Sequence, residues 1–315
     1  MKRYILHRIC SLIPVIIGIT LLTFLLMHTS SVDTIDAMEA NTGRVMSVEA
    51  KETMRKELGL DKPILVQYGN WVKGILTGNM GTSYVSGELV LEKMAKKLPA
   101  TILLALTSIL LTIVISIPLG ILCATKKDTV LDHVVRCMTF FGNSMPSFFV
   151  SLLLIYLFAI QWNLFPIIGK GDDWKTMILP AITLTIAMAS KYIRQIRTAV
   201  LEELGKEYIM AARTRGISER KILTGSVLKA VMLTILTLLS LSIGSLLGGT
   251  AIVESIFLWD GVGKMAVDAI LMRDYPVIQA YVIWMAIIYV TVNLLTDILY
   301  HILDPRIRLE RGEIE

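Results

Sequence analysis

The chain has 315 residues, of which 54% are hydrophobic and only 18% charged, and its mean hydropathy is +0.66. A water-soluble surface cannot absorb that surplus, so the composition points to a lipid bilayer. It excludes a disordered chain, a secreted disulfide scaffold and a nucleic-acid binder, and the formal charge of +5 needs an explanation at a membrane surface instead.

A helix needs about 20 apolar residues to cross the hydrocarbon core, and six windows of that kind occur, at 9–28, 99–125, 137–160, 176–190, 230–253 and 278–301. The first follows Lys2, Arg3 and Arg8, and no small-residue cleavage site follows Met27, so it reads as an uncleaved anchor. Residues 29–98 form an insertion of mixed polarity. Its MRKELGL run (54–60) reads as a helix that ends at Gly59 before Asp61, Lys62 and Pro63. The fourth window is the shortest, because Lys191 closes it soon after Pro180.

Segments 1–8, 126–136, 191–229 and 302–315 carry 3, 3, 9 and 3 Lys and Arg, whereas the two short loops on the opposite side carry 2 each. Segment 29–98 is long enough to be translocated whatever its charge, so this bias predicts that both termini are cytoplasmic. The same partition gives the inner surface +8 and the outer −2. Cys10, Cys123 and Cys137 lie within or at the inner edge of spans, which implies no disulfide framework. The expectation is one integral membrane domain over 1–315, with an extracytoplasmic insertion at 29–98 and a cytoplasmic loop at 191–229.

That loop, KYIRQIRTAVLEELGKEYIMAARTRGISERKILTGSVLK, sets small and apolar residues among nine bases. Its pattern predicts a helix, a positive φ at Gly216, and a second helix capped by Ser218 with Glu219 in its first turn. A solvated connector whose charges merely hold the topology accounts for the composition equally well.

The run Met210-Ala211-Ala212-Arg213-Thr214-Arg215-Gly216 resembles the E-A-A-x-x-x-G loop of ATP-binding-cassette (ABC) importer permeases, with Met210 in place of the acid. Glu207-Tyr208, Ala212-Arg213 and Gly216 also fit the form found in the peptide and nickel branch. The likeness runs along the whole chain, through ELGLDKPILVQYGNW, NMGTSY, SMPSFF, MILPAITL, ESIFLWDGVGKMAVDAILMRDYPVIQAY and the Asp304-Pro305-Arg306-Ile307-Arg308 stretch. Thr234 departs from it, since such proteins usually carry a proline near the start of the fifth span.

The resemblance implies an all-α, six-span type I importer permease of the dipeptide, oligopeptide and nickel group in a bacterial inner membrane. It implies a second permease subunit in a heterodimer, two cytoplasmic ATPases that bind ATP and Mg, and an extracytoplasmic binding protein, with no cofactor on this chain. In the coupling loop, Glu207, Ala211, Ala212, Arg213, Arg215 and Gly216 would meet an ATPase, the alanines by close approach and the arginines through partner carboxylates. MILPAITL, ESIFLWDGVGKMAVDAI and RDYPVIQ look closest to nickel permeases. Nickel, as a chelate, is therefore the first substrate expected, and peptide the second.

Other chemistry is missing from the sequence. No G-x-x-x-x-G-K-[ST] occurs, and at Gly263-Lys264-Met265 a leucine, Leu258, holds the first glycine position. His7, His28, His133 and His301 are scattered without ligand spacing, so no metal site is expected. Asn143, Ser144, Met145 and Ser242 are candidates for the translocation path, with Ser240 and Ser245 beside them, and Gly244, Gly248 and Gly249 for close helix contact. Asp297 is the single acid inside a span. Glu254, Arg273 and Asp274 are candidates for contact with the binding protein. A secondary transporter would need inverted repeats or several buried ionisable groups, and a membrane enzyme a catalytic set within the spans; neither pattern is present.

Overall fold

The computed structural model describes residues 2–28, 35, 36, 38, 39, 43, 45–167 and 174–303. They are helical throughout apart from loops and one isolated bridge between Thr82 and Leu89. The helices are α1 (Lys2–His28), α2 (Val48–Glu57), α3 (Ile64–Leu76), α4 (Val90–Thr125), α5 (Val130–Ser144), α6 (Ser147–Leu154), α7 (Lys175–Leu204), α8 (Glu207–Thr214), α9 (Leu228–Ile256), α10 (Val262–Met272) and α11 (Tyr275–Leu303). A π-helical segment, Ile155–Gln161, extends α6, and another, Ile222–Val227, leads into α9.

The chain divides into two compact units, 1–101 with 260–291, and 102–259 with 292–315. In the first, Phe24 of α1 packs on Tyr68 and Trp71 of α3 with ring centroids 5.4 and 5.7 Å apart. Val90, Met94, Val262, Met265, Ala269, Val277 and Ala280 form its core. The insertion is more ordered than its sequence suggested. The Ser47 hydroxyl caps α2 by accepting from the Ala50 amide at 3.2 Å, and Gly59 closes the helix at φ +66°, as its position predicted.

In the second unit α7 is the central element. Two-thirds of its most apolar window, 67%, is buried inside the protein, against 22–28% for the other long apolar helices. This explains its weak hydrophobic signal, since a helix surrounded by protein need not present an apolar face to lipid. Two glycines let neighbours approach it. A Cβ on Gly142 of α5 would stand 2.2 Å from the Ser190 hydroxyl, and one on Gly120 of α4 would stand 2.7 Å from Ile196. The buried Asp132 of α5 takes a two-pronged contact from Arg197 of α7, at 2.7 and 2.8 Å. The Asp128 amide completes that carboxylate at 3.1 Å.

Two expectations need correction. The window 137–160 is not one straight span, because α5 and the helical run Ser147–Gln161 meet at 107°. Pro146 has no N–H to give and holds Met145 extended at ψ 128°. The window 176–190 belongs to a 30-residue helix that continues to Leu204, so the first fourteen residues of the expected loop are the end of α7. Among the described residues four helices are long and apolar enough to cross a bilayer, or five if the bent pair is one span, and the shorter apolar helix Ile13–Leu26 lies at the first expected window. The side chains of Ser245, Asp297, His7, His28 and His301, the surroundings of Gly248 and Gly249, and residues 304–308 lie outside the described residues.

Candidate functional site

The end of α7 is stapled to α8 across a break at Gly205 and Lys206. Glu203, buried at the last turn of α7, accepts from Lys206 Nζ at 2.6 Å and from the Tyr208 hydroxyl at 2.5 Å. Burial, and then the Glu203 carboxylate, push the Tyr208 hydroxyl up to about 12, so this donor keeps its proton at ordinary pH. Below the staple Ile209 is fully buried and Ala212 packs half-buried on the same core. Two inward side chains at i and i+3 fix the face that α8 turns outward. Tyr208, Met210, Ala211, Arg213 and Arg215 are exposed, and Met210 keeps 66% of its surface.

Gly216 then takes the left-handed conformation at φ +75°, as the sequence predicted. Its amide donates to Arg213 O at 2.9 Å and the Ile217 amide to Ala212 O at 3.2 Å, which satisfies carbonyls at the end of α8. No atom lies within 4 Å of where a Cβ would stand, so glycine is needed here for its conformation and not for space. Ser218 stands at the next N-cap position but makes no capping bond, contrary to expectation. The turn is closed instead by Arg213, whose Nε and Nη2 donate to Glu219 at 2.6 and 3.3 Å. Arg213, though exposed, is thus engaged within its own chain. Glu207 lies exposed in the first turn of α8, where its charge suits the helix dipole. The expected helix, turn and helix are present, with the extra break before Lys206.

The expected path residues are not gathered into one site. Asn143 and Ser144 are exposed at the end of α5, and Met145 packs half-buried against the core. Ser242 is buried and accepts from the Tyr192 hydroxyl at 2.8 Å, tying α9 to α7 rather than lining an open passage. Ser240 similarly donates to Thr296 at 2.8 Å.

Two of the expected binding-protein contacts are also overturned. Glu254 is fully buried, and Asp274 is 2% exposed. Asp274 holds the loop after α3, accepting from the Ser83 hydroxyl and from the Tyr84 amide at 2.9 Å. The enclosed Tyr84 hydroxyl is pushed up to about 12, first by burial and then by Asp274. Neither acid can reach a partner's surface. Arg273 is exposed, in the left-handed conformation at φ +55°.

The Glu203 staple and the Asp132–Arg197 pair were missed by sequence reasoning. A signal existed for the first: Glu203 and Lys206 are opposite charges three residues apart, a spacing at which side chains meet. Asp132 and Arg197 are 65 residues apart, and nothing local links them.

Known proteins agree with this architecture. Residues 116–309 match the family model "Binding-protein-dependent transport system inner membrane component", and residues 1–105 match the model of its N-terminal region. The dipeptide transport system permease protein DppB of Escherichia coli K12 is 34% identical over 98% of this chain and 99% of its own length. The oligopeptide transport system permease protein AppB of Bacillus subtilis is 36% identical, and the glutathione transport system permease protein GsiC of Salmonella choleraesuis 33%, with the same coverage. Among solved structures, an inward-facing form of the MetNI methionine ABC transporter matches with a TM-score of 0.58 at 16% identity, over 67% of this chain and 96% of that one. The chain therefore belongs to the family of binding-protein-dependent transport system inner membrane components, as a permease subunit of an ABC importer.

Proposed function

We propose that this chain forms half of the membrane path of an ATP-driven peptide importer, and that α8 is the element through which a cytoplasmic ATPase moves it. The observation that carries the reading is the staple: a short helix with an exposed Tyr208, Met210 and Ala211 face is fixed through Glu203 to the central helix α7. A push on α8 reaches α7 through the Glu203 contacts that bridge the break at Gly205 and Lys206. The rest of the assembly follows from this role: a second permease subunit, two ATPases that bind ATP and Mg, and an extracytoplasmic binding protein. Both termini and the part of the expected loop beyond α7, residues 205–229, then face the cytoplasm, as the Lys and Arg bias favours, and 29–98 lies outside.

Peptide replaces nickel as the leading substrate. Relatives matching nearly the full length are named for dipeptide, oligopeptide and glutathione transport, which supports the second substrate expected from the sequence over the first. The test is uptake of a labelled dipeptide and of labelled nickel by cells with and without the chain. Loss of dipeptide uptake alone is expected; loss of nickel uptake alone would overturn the substrate assignment.

A further inference from the structure

A cleft of about 650 Å³ opens between α7 and α9, lined by residues 194–202 of the first and 233–241 of the second. Tyr192 and Ser242 close one end by their hydrogen bond, and the two helices run antiparallel away from it. The size lies within the range of small-ligand pockets.

Its lining is unusual for a helix pair of such apolar composition. Arg194 and Glu202 stand exposed at opposite ends of one wall, and among the described residues neither has an ion-pair partner. Thr198, Thr234 and Thr237 add hydroxyls along both walls. Between them the side-chain oxygen of Gln195 is buried and lacks a hydrogen-bond partner. Helix α9 runs unbroken from Leu228 to Ile256, and Thr234 faces the cleft from it.

We infer that this cleft is the chain's own peptide-binding stretch of the translocation path, with Arg194 taking the terminal carboxylate of a short peptide and Glu202 its terminal ammonium. The inference rests on the peptide-importer reading. Eight residues of helix separate the Cα atoms of Arg194 and Glu202 by about 12 Å along the axis, and an extended peptide gains about 3.3–3.6 Å per residue. A tripeptide therefore spans the interval once the two side chains bend toward it. The hydroxyls of Thr198 and Thr237 donate to carbonyls of their own helices, which leaves their oxygens to accept from peptide N–H groups. A planar guanidinium suits a carboxylate better than an ammonium does, so Arg194 is the end that reads charge and geometry together. Opposite charges held at a fixed interval favour peptides with both termini free over capped ones, a selection made after any capture outside the membrane.

The test uses cells carrying the whole transporter. Labelled Ala-Phe-Ala measures uptake, and the same tripeptide with a benzoyl group on the phenyl ring is photolysed and its cross-links mapped on the unaltered chain. Cross-links within 194–202 or 233–241, displaced by Ala-Phe-Ala and not by its acetylated amide, are expected. Arg194→Gln and Glu202→Gln should each lower uptake at least tenfold while partner subunits still co-purify, with Arg194→Lys retaining more activity than Arg194→Gln. Cross-links confined to other segments or to partner chains would overturn the inference while leaving the importer reading intact, as would unchanged uptake in the double variant. If removing the whole chain leaves tripeptide and dipeptide uptake unchanged, the importer reading fails, and this inference with it. The cross-link map decides the matter even where a variant does not assemble.

Discussion

Two glycines show how differently one residue type serves this chain. Gly216 is surrounded by open space and is needed for its φ of +75°, whereas Gly142 leaves room for a hydroxyl 2.2 Å from where its Cβ would be. Gly216→Ala should therefore cost only about 1 kcal/mol, confined to the turn. Amide exchange over 207–217 should quicken about fivefold with the melting temperature of the purified protein unchanged. Gly142→Ala forces α5 off α7 and should cost about 1–3 kcal/mol overall, read as a lower melting temperature in detergent. Ser190→Ala in the same chain should restore most of it, because the next atoms, Ile186 Cγ2 and Ser190 Cβ, are both 3.4 Å away. Asp132→Asn should be the most damaging of the three, at about 3 kcal/mol. It removes the countercharge of Arg197, whose side chain keeps only 14% of its surface.

Among the elements, α8 depends on its staple more than on its own propensity. Eight residues are too few for a stable isolated helix, so its order comes from Ile209, Ala212 and the Glu203 contacts. Glu203→Ala should accelerate amide exchange across 207–214 about tenfold, the equivalent of about 1.4 kcal/mol, with little change in α9. The proton on Tyr208 gives this staple a defined pH range. A hydroxyl held near 12 in the folded protein, against about 10 unfolded, contributes stability that is complete below pH about 10 and lost as pH rises toward 12. Exchange of the α8 amides, corrected for intrinsic rate, should accordingly be flat through the neutral range and rise only in strong alkali. Tyr208→Phe should abolish that alkaline rise.

For the whole molecule, topology and energy transfer are the properties to measure. Single cysteines replacing Met210 and Lys62 in a chain freed of Cys10, Cys123 and Cys137 should react with an impermeant thiol reagent from opposite sides, Lys62→Cys from outside. Reaction of both from the same side would reverse the assigned threading. Gly216→Pro should leave insertion intact and abolish uptake, since it removes the turn that sets α8 against the next helix; normal uptake in that variant would remove α8 from the coupling role.

The apolar windows, the charge bias and Gly216 were legible in the sequence because each is a local property. A window must be apolar to enter lipid, cytoplasmic loops collect Lys and Arg, and a left-handed residue at a helix end favours glycine. The bend at Pro146 had its local signal in the proline, though only the 107° between the helices shows that the window 137–160 is broken. Long-range pairing had no such signal. Asp274 and Glu254 read as surface charges until burial placed them inside, and Ser242 read as path lining until Tyr192 claimed it.

By itself, then, the sequence determined that this chain lives in a bilayer, roughly where it crosses, and that its loop ends in a glycine turn, because hydropathy and backbone freedom belong to single residues and short runs. The tertiary structure decided that α7 lies at the centre, that α8 is fixed to it by Glu203, and that Arg194 and Glu202 share one cleft wall with Gln195 between them and Thr234 opposite. Those relations join residues whose separation in the chain carries no period, and only packing brings them together.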